Sequence, residues 1–290
     1  MSPRASTPAP RPRDPAPARR PGRGKLAVLG TGKLGESLVR GLIDAGVVVA
    51  QDVTVTAAHA ERIEQLRRSL GVAGTLSNAE AVKGARILLL AVKPQTVPAV
   101  LRELRDALMP HQLLISVAAS VSTKFIEKHL AQPVPVVRAM PNTPALLRRG
   151  MTGVAAGVNA RPEHLELALD IFRAVGRTLI VDEKHMDAVT ALSASGPAFI
   201  YIIIESLAEA GVKVGLPRDV ATELAAQTVL GSGAMVLETG EHPAKLKDLV
   251  TTPAGCTIDG ILELEEGGLR VTLIKAVVRA TERARELLES

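Results

Sequence analysis

A glycine-rich turn between an apolar run and a helical pattern constrains the fold of this chain more than any other feature. The apolar run, Lys25–Leu29, is typical of a β-strand, and the helical pattern extends to about Ala45. The turn matches the G-x-G-x-x-G pattern and consists of Gly30, Thr31, Gly32, Lys33, Leu34 and Gly35. At the first strand of an α/β sheet, this pattern predicts a loop that binds the phosphates of a dinucleotide.

The three glycines have separate predicted roles. Gly30 permits a tight turn, Gly32 lets the backbone approach a pyrophosphate, and Gly35 allows the helix to pack closely on the strand. The start of the helix adds N–H groups and a partial positive charge. A glycine turn that serves only packing is the alternative interpretation.

Strand-like runs alternate with helical patterns from Lys25 to about Asp182. Alternation of this kind predicts a mainly parallel, twisted sheet covered by helices. The interpretation is therefore an α/β Rossmann-type N-terminal domain over residues 25–182. Its predicted strands are Lys25–Leu29, Asp52–Ala57, a short strand at Thr75–Leu76, Arg86–Val92, Leu113–Val117, Val134–Arg138, Thr152–Ala156 and Thr178–Val181.

The remainder, residues 183–290, shows helical periodicity and no further β-rich runs. The predicted helices cover roughly Pro197–Gly211, Arg218–Thr239 and Leu269–Leu288. They are rich in Ala and Leu and have few charged stripes, which indicates apolar faces buried between subunits. The chain is therefore expected to end in an all-α domain that forms a homo-oligomer.

The basic charge of the chain is confined to its first residues. The net charge is +5, but residues 1–24 hold six arginines, no lysine and one acid, so the rest is neutral. This segment is rich in Pro and Arg and is predicted to be a disordered tail. The chain also has no Trp, one Tyr and three Phe, which disfavours stacking on nucleic-acid bases. No nucleic-acid partner is expected.

Other classes of protein are disfavoured by what the sequence contains. The single Cys256 allows no intrachain disulfide and no cysteine metal cluster, and the six histidines are too scattered to suggest a metal site. The longest apolar run, Ala198–Ile204, is too short to span a bilayer. The tail lacks the apolar region of a secretory signal. We therefore expect a cytoplasmic protein without a metal or a membrane partner.

The end of the second predicted strand indicates which dinucleotide binds. NAD sites usually place an acid there, on the ribose 2′-hydroxyl. Here the nearest acid, Asp52, lies at the start of the strand, and the strand ends in Thr56 and Ala57. Thr56, His59 and Arg62 could supply donors or charge to a 2′-phosphate. NADPH is favoured, NADH remains possible, and Arg62 could equally be a solvated helix residue.

Six further segments resemble the pyrroline-5-carboxylate reductase family. They occur in the family's order, and the resemblance extends from Lys25 to about Leu287. It implies an NADPH-dependent enzyme that reduces 1-pyrroline-5-carboxylate to L-proline, the last step of proline synthesis, and a helical domain that dimerises, often within a larger ring. The six segments are Ala91–Gln95, Ile115–Ser120, Arg138–Pro144, Asp187–Pro197, Gly211–Pro217 and Val250–Thr257.

The resemblance also assigns cofactor residues. Asn78 resembles a contact on the adenosine side. The loop over the cofactor's ribose is Val92, Lys93 and Pro94, and the small residues beside the nicotinamide are Ala118 and Ala119.

The substrate residues implied by the resemblance lie in the helical part. Thr252, Gly255, Cys256 and Thr257 belong to a loop whose N–H groups face the substrate carboxylate, and Glu241 is an acidic contact from the partner subunit. Thr257 is the catalytic candidate, since it matches the threonine that hydrogen-bonds the substrate nitrogen. Capping of a helix by Thr257 is the alternative.

One departure from the family's pattern lies in this substrate loop. Ala254 stands where the commoner loop has a glycine, and a glycine there could serve a positive φ angle.

Two rival functions are open. One is another NADP-dependent reductase that acts on β-hydroxyacids or related imines. Such an enzyme would be expected to show a Lys and an Asn on the first interdomain helix, and residues 195–210 contain neither. The other is a dinucleotide sensor without catalysis.

Overall fold

The structure is a computed structural model that describes residues 24–286 in two compact units. One unit comprises residues 24–197 and 276–286, and the other is Ala198–Lys275. The disordered tail predicted for residues 1–24 lies outside the described residues, except for Gly24.

The first unit is built on an eight-stranded sheet. Its strands are β1 Lys25–Leu29, β2 Val53–Thr56, β3 Ala73–Thr75, β4 Ala85–Leu90, β5 Leu113–Ser116, β6 Val136–Met140, β7 Gly150–Ala156 and β8 Gly176–Ile180. Their order across the sheet is β3-β2-β1-β4-β5-β6-β7-β8, and every neighbouring pair is parallel except β6 and β7. The predicted mainly parallel α/β sheet is confirmed.

Helices cover both faces of this sheet. The alternation within β1 shows why: Leu26 and Val28 join one apolar core, and Ala27 and Leu29 join the other. The first core includes side chains of α1 Lys33–Asp44, α2 Ala60–Leu70 and α6 Pro162–Arg173. The second includes side chains of α3 Asn78–Ala81, α4 Val97–Leu104 and α5 Thr123–His129, and a short helix, α7 Met186–Val189, follows the sheet.

The second unit is entirely helical and has little core of its own. Within its described residues, the buried apolar side chains are Ala208, Ala221 and Ala225, which pack against one another. Its helices are α9 Arg218–Thr239, α10 Pro243–Leu249 and α11 Cys256–Glu266, together with α8 Gly196–Lys213 from residue 198 and α12 Leu269–Glu286 up to residue 275. The predicted all-α region is confirmed, although α10 and α11 were not expected as separate helices.

Two helical segments of this region are as long and as apolar as helices that span membranes. Two described helical segments, Glu183–Lys213 and Arg218–Thr239, are long and apolar enough to cross a bilayer by length and composition alone. Both are largely exposed in the single chain. An expectation based only on the unbroken apolar run Ala198–Ile204 therefore understated how apolar these helices are.

Candidate dinucleotide site and substrate loop

The glycine loop has the geometry that its sequence predicts. Gly30 has a φ of +88°, and a Cβ there would come within 2.5 Å of Cγ1 of Val92. A Cβ at Gly35 would overlap the carbonyl oxygen of Gly30. Gly30 thus allows the turn, and Gly35 allows α1 to lie against the end of β1.

Gly32 differs from the other two glycines, because a Cβ there would meet no atom within 4 Å. It is the N-cap of α1, and the hydrogen bonds of the helix begin with the Glu36 N–H, 3.0 Å from the Gly32 carbonyl oxygen. The N–H groups that precede this bond have no partner within the helix. An open approach to unpaired N–H groups at a helix start fits a pyrophosphate.

Buried threonines fasten the loop to the end of β2. Thr31 donates to the carbonyl oxygen of Thr56 through its N–H, at 3.0 Å, and through its hydroxyl, at 2.8 Å. The Gly30 N–H donates to Oγ1 of Thr56 at 3.1 Å. The hydroxyl of Thr56 in turn donates to Oδ1 of Asn78 at 2.7 Å. Thr31 and Thr56 thus hold the loop in place.

Asn78 continues this network toward α4. It is the first residue of α3, and its Nδ2 donates to Oε2 of Glu103 at 2.8 Å. The Ala79 N–H donates to Oε1 of the same carboxylate at 3.2 Å. Sequence reasoning identified Asn78 and missed Glu103, because a contact across 25 positions has no local signal.

Arg62 lies against the glycine loop. Its Nε donates to the carbonyl oxygen of Thr31 at 3.1 Å, and its Nη2 forms a close ion pair with Glu36. Glu36 also pairs with Arg40 at 3.2 Å. The hydrogen bond from Arg62 holds the pKa of Glu36 below its usual value. Arg62 is therefore a residue of α2 that is held against the glycine loop, and Glu36 is a neighbour of it that the sequence did not reveal.

Two further predicted loops lie at the same edge of the sheet. Val92, Lys93 and Pro94 follow β4, and Ala118 and Ala119 follow β5. Because β1, β4 and β5 are adjacent parallel strands, the loops at their carboxyl ends are neighbours. This edge is where open α/β sheets bind ligands.

Asn142, in the segment that follows β6, bonds to two other parts of the chain. Oδ1 of Asn142 accepts from the Met151 N–H at 2.9 Å, and its Nδ2 donates to the Ser193 carbonyl oxygen at 3.1 Å. Ser193 lies in a π-helical turn, Thr190–Ala194. Asn142 thus joins the end of the sheet to the segment that leads into α8.

The predicted substrate loop opens α11 in the helical unit. Gly255 is the N-cap, so Thr257 is the second residue of the helix and does not cap it. The capping interpretation of Thr257 is therefore wrong. The Gly255 N–H donates to the Thr252 carbonyl oxygen at 3.0 Å, which closes the turn. Ala254 has a φ of +57°, a conformation that favours glycine.

The other substrate candidates in this unit are accessible. Cys256 is exposed. Glu241 lies just before α10. Its carboxylate pairs with the Lys245 ammonium group at 2.7 Å, and both side chains are exposed. The start of α11 offers N–H groups for an anion, as the start of α1 does.

Comparison with family models matches both units. The model described as pyrroline-5-carboxylate reductase dimerisation matches residues 183–287. The model described as NADP oxidoreductase coenzyme F420-dependent matches residues 25–120.

Individual relatives extend the similarity over most of the chain. A pyrroline-5-carboxylate reductase of Methanosarcina acetivorans is 46% identical over 91% of this chain and 97% of its own. One from Arabidopsis thaliana is 42% identical over 92% of this chain and 96% of its own. A pyrroline-5-carboxylate reductase structure from Coxiella burnetii covers 91% of this chain and 98% of its own at 38% identity, with a TM-score of 0.83. A pyrroline carboxylate reductase structure from Plasmodium falciparum, solved with NADP bound, has the same coverage and TM-score at 30% identity.

Proposed function

Because the chain belongs to the pyrroline-5-carboxylate reductase family, we propose that it uses NADPH to reduce the C=N bond of 1-pyrroline-5-carboxylate, giving L-proline. It is an oxidoreductase that carries an N-terminal NADP-binding domain and a C-terminal dimerisation domain. The observation that supports the activity most directly is the presence of two helix-start sites, one opened by the glycine loop and one by the loop at residues 252–257.

The glycine loop holds the cofactor's pyrophosphate. The open side of Gly32 and the first N–H groups of α1 supply the contact, and Thr31 and Thr56 keep the loop rigid. Lys33 and Leu34 begin the helix beside the phosphates. The role of this loop is to bind and orient.

The remaining cofactor residues are placed along the same edge. Ala57, Arg62 and Asn78 lie near the end of β2 and serve the adenosine half. The loop after β4 covers the ribose, and Ala118 and Ala119 leave room for the nicotinamide. When bound, the reduced nicotinamide supplies the hydride that the protein's own residues lack.

The loop at residues 252–257 holds the substrate. N–H groups at the start of α11 bind its carboxylate and so fix which face of the ring is presented. The substrate nitrogen carries a proton as the iminium, so transfer of the hydride to the imine carbon gives the amine directly. The hydroxyl of Thr257 hydrogen-bonds this nitrogen during the step. Thr252, Gly255 and Cys256 shape this loop, and Glu241 contacts the substrate from the partner subunit.

The oligomer completes the helical unit. The family's dimerisation model includes both apolar helices, so we infer that their exposed faces are covered by other subunits and not by lipid. A homodimer is the smallest assembly that would do this, and larger homo-oligomers are compatible with it. A cytoplasmic location is proposed on the same grounds.

A rate assay tests the activity against its rivals. Purified protein should oxidise NADPH when 1-pyrroline-5-carboxylate is added. It should not oxidise NADPH when the keto form of a β-hydroxyacid is added. A dinucleotide sensor would bind NADPH and show no oxidation with either compound. Absence of oxidation above background would refute the proposal.

Thr257→Ala tests the catalytic assignment. Loss of the hydrogen bond to the substrate nitrogen should lower kcat/KM at least about tenfold, the usual effect of a lost contact to a charged group. Binding of NADPH should be unchanged. Thr272→Ala, which alters an exposed threonine of α12, is the matched control and should retain full turnover. Unchanged turnover in Thr257→Ala would remove Thr257 from the reaction.

A further inference from the structure

The end of β2 carries little chemistry that could distinguish NADPH from NADH. Ala57 and Ala58 present only methyl groups, and the hydroxyl of Thr56 already donates to Asn78 at 2.7 Å. His59 is the exposed N-cap of α2 and adds one imidazole donor. A permanent positive charge for a 2′-phosphate at this point therefore has to come from a neighbouring element.

Arg62 is placed to provide that cation. Its Nε donates to the Thr31 carbonyl oxygen, and the Thr31 N–H donates to the Thr56 carbonyl oxygen at 3.0 Å. The guanidinium is thus two hydrogen bonds away from the end of β2. The Thr31 carbonyl accepts from Nε, Glu36 accepts from Nη2, and Oε1 of Gln65 accepts from Nη1 at 2.7 Å. These bonds hold the planar group and leave two of its five N–H groups for a phosphate.

Glu36 counteracts this charge. Its carboxylate forms the ion pair with Nη2 of Arg62, and each of the two side chains is 26% exposed. Solvent and salt screen such a pair less than a fully exposed one. A phosphate that approaches Arg62 therefore also approaches the negative charge of Glu36, although Arg40 offsets part of that charge from 3.2 Å.

We propose that Glu36 is a specificity-determining residue of the cofactor site, which positions Arg62 against the glycine loop and weakens the preference for a 2′-phosphate. This assignment rests on the proposed dinucleotide function and deepens it. It assigns the attraction for the phosphate to Arg62 and the limit on that attraction to Glu36.

Binding of nucleotide fragments tests the proposal without any turnover. Calorimetric Kd values for 2′,5′-ADP and 5′-AMP, which differ only by the 2′-phosphate, should be measured on the full chain and on Glu36→Gln. Glutamine keeps an oxygen for Nη2 of Arg62 and removes the charge. The affinity for 2′,5′-ADP should rise about threefold while that for 5′-AMP stays unchanged, as expected for removal of one partly screened charge.

Arg62→Gln should have the opposite effect. Loss of the guanidinium should weaken the binding of 2′,5′-ADP at least about tenfold relative to that of 5′-AMP. In the Arg62→Gln background, Glu36→Gln should add less than it does alone, because Glu36 acts largely through Arg62. The ratio of kcat/KM for NADPH to kcat/KM for NADH should likewise rise in Glu36→Gln and fall in Arg62→Gln.

Glu64→Gln is the matched control. Glu64 lies on α2 and pairs with Arg68 at 2.8 Å in a more exposed ion pair, so its loss should leave both Kd values unchanged. Unaltered selectivity in Arg62→Gln, or weaker binding of 2′,5′-ADP by a fully folded Glu36→Gln, would overturn the proposal. Because binding of 2′,5′-ADP and 5′-AMP needs no substrate, these outcomes are separate from failure of the reductase assay.

Discussion

The two units of the chain bury their apolar residues to very different extents. Residues 24–197 have an apolar core on each face of the sheet, whereas the described residues of Ala198–Lys275 bury only three alanines. The first unit therefore has the burial that an independent domain needs. The second exposes apolar helices, and its match to a dimerisation model supports the proposal that another subunit covers them.

Disruption of the exposed helical face is expected to have the largest effect. Leu230 is 58% exposed and lies nine residues after the buried Ala221, which places it on the opposite face of α9. Leu230→Glu would bury an unpaired charge at a covered face, at a cost of about 3–5 kcal/mol per subunit. Sedimentation velocity should show smaller particles than for the unaltered chain.

Val158→Glu is the control for this substitution. Val158 is 89% exposed on the α/β unit, and a charge there should leave the assembly intact. An unchanged sedimentation coefficient for Leu230→Glu would mean that this face of α9 is not covered by a subunit.

A cavity in the sheet unit should lower stability by a somewhat smaller amount than Leu230→Glu, and its effect should not depend on assembly. Leu88 is fully buried in β4, and Leu88→Ala should destabilise the protein by about 2–5 kcal/mol. The loss arises inside one unit, so denaturant titrations of this unit should give the same ΔΔG at low and high protein concentration. Melting of the helical unit should instead depend on concentration, because its partner is part of its core. A concentration-independent melt of the helical unit would contradict the comparison.

The glycine loop offers a pair of substitutions with opposite consequences. Gly35→Ala places a methyl against the Gly30 carbonyl oxygen and should cost about 1–3 kcal/mol of stability. The methyl group of Gly32→Ala points into open space, so the stability of this variant should be nearly unchanged while its affinity for NADPH falls. Thermal melts and calorimetry distinguish the two effects. Normal NADPH affinity in Gly32→Ala would contradict a pyrophosphate at this position.

The smallest expected effect is at Ala254. Its φ of +57° imposes a penalty of about 1–2 kcal/mol on a residue with a Cβ, which Gly would relieve at an entropic cost of about 0.5–1 kcal/mol. Ala254→Gly should therefore stabilise the protein by about 0–1.5 kcal/mol. A lower melting temperature for this variant would show that the Cβ makes a favourable contact.

The positions of the glycine loop and the strands were predictable because each depends on local pattern. Lys25–Leu29 was predicted without error, and Arg218–Thr239 matched α9 at both ends. β4 begins and ends slightly before the predicted Arg86–Val92 run, because Ala91 and Val92 turn toward the glycine loop.

What the pattern could not reveal depends on contacts between distant segments. The ion pair of Glu36 with Arg62 joins two helices 26 positions apart, and the carboxylate of Glu103 reaches Asn78 across 25. The antiparallel pairing of β6 with β7 is a choice of chain direction that periodicity does not encode. The short helices α10 and α11 lack the length that makes helical periodicity distinctive.

Transfer of a deuterium label tests the central claim most directly. NADPH deuterated at C4 of the nicotinamide should be mixed with 1-pyrroline-5-carboxylate and the protein, and the product analysed by mass spectrometry. We predict L-proline that carries one deuterium on the former imine carbon, formed in a one-to-one ratio with oxidised cofactor. Oxidation of the cofactor without labelled proline would contradict the account.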